Sequence, residues 1–296
     1  MGSAPTVNNG GINRRAETDV ATSSTDRCGQ MWVESLRRYP VKSMLGEDVH
    51  SMFVDERGAA GDRRLALIDT VTGRVASAKQ ARLWRGLLQF TASGDTGRVR
   101  IRLPDGTSVA ADEPGIDDLL SWLLGRAVRL VSQRPQGAAV ERPDPEKVLD
   151  RGVDAEVEAR ILEIGQATPG DSFTDVAPLH AITTATLEGI GVEALRYRPN
   201  LVIATPPGYP PYAENEWVGR ELTVAEARLR VLTPTPRCVL PTLEHGPLPR
   251  APHAIRTPAA ENRVEARGFG VLPCAGAYLD VLAKGTVRSG DPVTLH

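Results

Sequence analysis

At 296 residues, with 41% hydrophobic and 24% charged side chains, the chain can build one large core or two ordinary ones without covalent staples. Its formal net charge of −2, with no concentrated basic run, argues against a nucleic-acid or membrane surface, and no apolar segment approaches the roughly 20 residues of a membrane helix. Three cysteines, Cys28, Cys238 and Cys274, build no disulfide framework, and the odd number points to a reducing, cytoplasmic setting.

In chain order, residues 1–30 read as a disordered tail rich in Ser, Thr, Asn, Gly and charge, without the apolar centre of a secretory signal; Cys28 falls within it. Folding is expected from Met31. The stretch Trp32 to Leu36 alternates like a half-buried strand and ends at Tyr39-Pro40. Leu65 to Ile68 is a short apolar run, turned at Thr72-Gly73 and returning as a hairpin through Val75. Val99, Ile101 and Leu103 alternate with Arg98, Arg100 and Arg102, which marks a strand with a solvated basic face, and Asp105-Gly106 turns the chain. Ile116, Leu119, Leu120, Leu123 and Leu124 form one apolar helical stripe, with Asp112 as cap, Pro114 in the first turn and Gly125 at the end.

The proline-rich span 133–150 has little periodicity. The expected division is therefore an N-terminal β domain over 31–135, a connection over 136–150 and a second domain over 151–296. In the second half, strands are expected at Leu201–Ala204, Leu222–Val224, Leu229–Leu232 and Tyr278–Leu282. A short helix is expected at Thr184–Ile190, and a closing hairpin from Thr286 to Leu295. Many short strands with Gly/Pro punctuation predict a mainly β fold with some α, of barrel or sandwich type.

Phosphate-loop, dinucleotide-binding and serine-hydrolase signatures are missing, and the five histidines show no zinc-finger spacing. Lysine chemistry has four candidates, Lys42, Lys79, Lys147 and Lys284. Four polar clusters sit at the edges of apolar strands: Arg38-Tyr39-Pro40-Val41-Lys42-Ser43, Gly61-Asp62-Arg63-Arg64, Arg196-Tyr197-Arg198-Pro199-Asn200, and Thr235-Pro236-Arg237-Cys238. A Gly-x-Val-x-x-Gly-Asp-Pro-Val segment closes the sequence.

Together these segments resemble the MOSC family, named for the C-terminal domain of molybdenum-cofactor sulfurase, in the two-part form that starts with the family's N-terminal β-barrel domain. Within it they look like the amidoxime-reducing components and their bacterial relatives. The resemblance runs from Met31 to His296 and implies a β-barrel MOSC domain packed with an N-terminal β-barrel-like domain. It further implies a molybdenum–molybdopterin cofactor. Lys42, Ser43, Arg63 and Arg198 would face its phosphate and pterin, Asn200 the pterin ring, and Arg237 would favour the thiolate of Cys238, the metal ligand. Such residue types suit that cofactor, because guanidinium forks and ammonium groups bind phosphate and thiolate is the soft ligand a molybdenum centre takes. Asp175 aligns with a carboxylate beside the metal, where it could orient a water or relay protons. Cys274 and His180 read as core. Relatives carry serine where this chain has Pro236, which removes a hydrogen-bonding group near the metal.

The implied function is reduction of N-hydroxylated or N-oxide small molecules, with electrons from a separate ferredoxin or cytochrome-type donor. Two other functions stay open on the residues. Cys238 could carry a persulfide in sulfur transfer, or Lys42 could hold pyridoxal phosphate. The pocket could also serve as a non-catalytic cofactor carrier.

Overall fold

The computed structural model describes residues 1–2, 29–95 and 97–296, so the expected tail and Cys28 lie largely outside the described residues. Strands make up 37% of the fold and helices 20%. Seven strands close a barrel: β1 Met31–Arg38, β2 Leu179–Thr183, β3 Leu201–Ala204, β4 Glu221–Val224, β5 Ala227–Pro236, β6 Gly270–Ala283 and β7 Pro292–Leu295. Around the barrel the order is β2-β3-β1-β7-β4-β5-β6, and β6 pairs back onto β2. Only β2 and β3 run parallel, with Ala181 opposite Leu201.

The apolar runs explain the strands. Leu201-Val202-Ile203-Ala204 is buried along its whole length, because the barrel core lies on one face and further apolar residues on the other. β5 starts with exposed Arg228 and Arg230 alternating with buried Leu229 and Val231, then becomes wholly buried where it approaches the functional region. Three register shifts interrupt its pairing with β6, and Pro234 and Pro236 sit among them. A strand bent in this way aims its end residues into a cavity instead of continuing the ladder.

The first strand crosses the expected boundary between halves: β1 pairs with β3 and β7, while Ser51–Asp55 pairs with Gly285–Arg288. The closing hairpin expected over Thr286–Leu295 is therefore corrected. The turn at Ser289-Gly290 forms, but Gly285–Arg288 joins Ser51–Asp55 whereas β7 joins β4 and β1. A second core gathers Val41, Leu67, Trp84, Phe90, Ile101 and Leu120 under the helix Ile116–Leu124. That helix starts at Gly115, not at an Asp112 cap, and ends at Gly125 in a left-handed conformation. Within 136–150 the chain forms a strand, Ala139–Pro143, and a helix, Pro145–Arg151, capped by Asp144. The strand pairs with Ala159–Glu163 to make a two-stranded ribbon.

Glu214 is fully buried and ties the end of β2 to the helix that follows. Its carboxylate accepts from the Thr183 N–H at 2.7 Å and the Thr186 hydroxyl at 2.7 Å. Gly276 allows β6 to approach β2 closely. It has φ +71°, and a Cβ there would lie 2.5 Å from the Ala181 carbonyl and 2.7 Å from His180 Nε2. Gly276→Ala is expected to destabilise the chain by about 1–3 kcal/mol. An unchanged urea midpoint would show that the strands can part at no cost. No helix of the described residues is long and apolar enough to cross a membrane.

Candidate functional site

A cavity of about 1010 Å³ opens between the end of β5, the loops before β2 and β3, and the loop that follows β1. Lys42, Ser43, Arg63, Asp175, Arg198, Asn200, Arg237 and Cys238 all line it. They come from the loop after β1, the turn before Ala66–Asp69, the loop before β2, the turn before β3 and the end of β5. Eight residues spread over almost 200 positions of sequence thus converge on one space.

Backbone conformation sets part of this convergence. Among the described residues, five non-glycine residues have positive φ, and Ser43 (66°), Arg63 (47°) and Arg198 (56°) are three of them. This region is strained for side chains other than glycine, so such residues persist where the surroundings over-determine them, often at functional sites. Arg198 ends the short helix Ala194–Tyr197, its N–H reaching back to the Ala194 carbonyl. Arg63 is held by the buried Asp62 carboxylate, which also accepts from the Tyr39 N–H at 2.7 Å.

The two guanidiniums meet at Tyr39. Arg198 lies 4.2 Å and Arg63 4.9 Å from the centroid of that fully buried ring. Arg198 Nη1 donates to the Met44 carbonyl at 2.7 Å, but its Nη2 is buried without a partner. Burial and the neighbouring Arg63 charge pull Arg198 down to about 10. An unpaired buried guanidinium N–H is unfavourable, and an anion in the cavity would remove that penalty. Ser43 Oγ accepts from the Ala78 N–H at 3.1 Å, which leaves its O–H free to donate.

Beside this pole, Asp175 Oδ1 sits between two ammonium groups, 2.7 Å from Lys42 Nζ and 2.9 Å from Lys79 Nζ. Lys42 Nζ also donates to the Phe173 carbonyl at 2.7 Å. Burial alone would raise the Asp175 carboxyl, but the two lysines outweigh it and hold it well below the usual carboxylate range. Asp175 therefore stays ionised, which suits a fixed charge and disfavours a proton shuttle. Burial, with the Lys79 charge adding and Asp175 opposing, draws Lys42 down to about 8. That places Lys42 nearest to neutral proton transfer.

Cys238 is half-buried at the cavity edge, flanking a cluster of Leu240, Leu243 and Val157. Arg237 lines the cavity too, but its donors are used within the protein. Its Nε donates to the Ala275 carbonyl at 2.8 Å, Nη1 to the Tyr197 carbonyl at 3.3 Å, and Nη2 to His180 Nε2 at 2.6 Å. Because arginine has no acceptor, His180 Nε2 must accept and the ring is neutral. Burial, then the charges of Arg237 and Arg63, holds His180 well below the imidazole range. Arg237 thus braces the turn that carries Cys238 and is largely occupied by the protein's own groups. Thr235, also lining the cavity, has a buried hydroxyl without a partner.

Asn200 is mostly engaged. Its Oδ1 accepts from the His180 N–H at 3.2 Å and its Nδ2 donates to the Arg37 carbonyl at 3.3 Å, which ties β1 to β2. Cys274 is fully buried, and burial pushes its thiol up to about 11. Lys79 and Tyr278 are cavity residues that the motifs did not single out. Lys79 carried only the signal of being one of four lysines; Tyr278, lying edge-on to His180 at 6.0 Å, carried none beyond its expected strand. Among the described residues, no three His, Cys, Asp or Glu side chains gather as a metal site.

The family model for the MOSC domain matches residues 169–294, and that for the MOSC N-terminal beta barrel domain matches residues 30–118. Mitochondrial amidoxime-reducing component 1 of Mus musculus is 29% identical over 138 residues, covering 42% of this chain and 38% of that protein. The Homo sapiens protein of that name is 28% identical over 134 residues, with the same coverage. The match thus spans well under half the length of these curated relatives. The crystal structure of the YUAD protein from Bacillus subtilis aligns over 90% of this chain and 96% of its own, at 10% identity and a TM-score of 0.38.

Proposed function

Because the chain belongs to the MOSC-domain family and carries both its N-terminal β-barrel domain and the MOSC domain, we propose that it binds a molybdenum–molybdopterin cofactor and reduces N-hydroxylated or N-oxide small molecules. The observation that carries this reading is the convergence of Lys42, Arg63, Arg198 and Cys238 on one cavity. The residues fit the group. A buried, unpartnered Arg198 N–H and a free Ser43 hydroxyl suit a phosphate, and one half-buried thiol suits a metal whose other ligands arrive with the cofactor.

Arg198, Arg63, Lys42 and Ser43 would hold the phosphate-bearing end, with Cys238 as the metal ligand. Asn200 would act by fixing β1 against β2, and Arg237 by bracing the cysteine turn. When bound, the cofactor supplies a two-electron centre able to take oxygen from nitrogen. Removing that oxygen as water consumes two protons, and Lys42 Nζ, drawn down to about 8 and lining the same cavity, would be able to give one. Asp175 would keep Lys42 and Lys79 in place as a permanent anion. Electrons would come from a separate ferredoxin or cytochrome-type donor, in keeping with relatives that are named as components.

Metal and pterin analysis tests the reading. After expression in a cofactor-competent host, the chain should carry about one molybdenum and one oxidisable pterin, and Arg198→Gln should lower both. A metal-free wild-type chain from such a host would overturn it.

A further inference from the structure

The outer wall of the cavity holds cations that the cofactor reading does not use. Arg142 and Arg160 face each other directly across the antiparallel ribbon of Ala139–Pro143 and Ala159–Glu163, and both line the cavity. Like charges directly opposite on one sheet face are destabilising. A carboxylate between them would relieve this, yet no ion pair of the described residues includes either arginine. Of the nearby acids, Glu141 pairs with Arg74, Glu146 with Arg263, and Asp144 caps the helix Pro145–Arg151, while Glu158 and Glu163, which line the same cavity, form no ion pair with either arginine. Arg142 is also held in place. One of its Nη groups donates to the Arg237 carbonyl at 3.2 Å, and its guanidinium lies 5.8 Å from the Phe269 ring centroid. The pair therefore stands next to the peptide unit that precedes Cys238. Half-buried Phe269 and Leu272 line the same cavity on the hairpin Arg263–Ala266 with β6.

We infer that Arg142 and Arg160 form an anion subsite for the carboxylate of a substrate whose apolar, ring-sized body lies against Phe269 and Leu272. Planar guanidiniums match a carboxylate in two-point fashion, and the apolar wall selects an organic anion over a bare inorganic one. The inference rests on the reading of the cavity as the reaction site, and it defines the substrate class as N-oxygenated compounds that also carry a carboxylate.

The test titrates the full chain with benzoate and, in parallel, with neutral benzyl alcohol. Benzoate affinity should fall about tenfold in Arg142→Gln and in Arg160→Gln, with benzyl alcohol unaffected. Benzoate binding untouched by both outer substitutions would overturn the assignment; so would no binding to wild type. Thermal melts give a second readout. Arg160→Gln alone should raise the melting temperature, because it removes the repulsion, and should shrink the further rise that benzoate gives to wild type. A lower melting temperature with an undiminished benzoate shift would count against the subsite. Molybdenum and pterin content judge the cofactor reading separately, so each can fail without the other.

Discussion

Cys238→Ala is expected to cut reduction of an N-hydroxylated substrate about 10³-fold, a loss of about 4 kcal/mol of transition-state stabilisation. The thiol stands at the cavity edge, on the turn that Arg237 braces through three hydrogen-bonded partners, Ala275, Tyr197 and His180. Its loss would leave the phosphate-binding end intact, because Arg198, Arg63 and Ser43 belong to other segments. Pterin content should therefore fall much less than turnover. Unfolding is not the expected cause: Cys238 is half-buried, and trimming its sulfur costs about 1 kcal/mol or less. Cys238→Ser sharpens the experiment, since an oxygen ligand keeps the volume but lacks the softness of sulfur. Wild-type turnover in either variant, measured with an artificial reductant, would remove the thiol from the metal's coordination.

Chemistry written in local motifs was legible in the amino-acid order, whereas neighbours that only folding brings together were not. Leu201–Ala204 and Thr184–Ile190 could be read because an unbroken apolar run and a bounded helical stripe are local patterns, and both appear with those bounds. The barrel's closure could not. It depends on Met31 meeting Val293 and Ala181 meeting Ala277, and no periodicity encodes partners so far apart. The closing hairpin differs from expectation for the same reason: alternation marks two strands and a turn but does not say which neighbours they choose. At the site, the polar clusters at strand edges singled out the segments of Lys42, Arg63 and Arg198, and folding brings all three to one cavity. Lys79, one of four lysines, lay in none of those clusters, and only folding sets it 2.9 Å from Asp175. Arg237 lines the cavity with the others, but three acceptors within the protein occupy its donors.

Asp175→Asn is expected to lower stability by about 3 kcal/mol at pH 7, the low end for removing one partner of a buried ion pair, since the Asp175 side chain keeps 29% of its exposure. Two ammonium groups, Lys42 and Lys79, would then face each other with no carboxylate between them. The pH dependence follows from how each group is held. Asp175 is held well below the ordinary 3.8, so its contribution is present above that value and is lost as pH falls through its folded-state range. Lys42 is at about 8 against an ordinary 10.5, so between those values the unfolded chain binds more protons and stability from this group rises with pH. Without Asp175 the folded-state value of Lys42 drops further, and its neutral form needs no counter-charge. The gap between wild type and Asp175→Asn should accordingly narrow as pH climbs from 7 through about 8, where the two folded states differ in Lys42 protonation, and stay level above it. Urea unfolding of the full chain at a series of pH values measures it. A gap that stays constant, or is absent at pH 7, would mean that the cluster is not coupled as the geometry requires, and the role of Lys42 as the proton-passing group would fall with it.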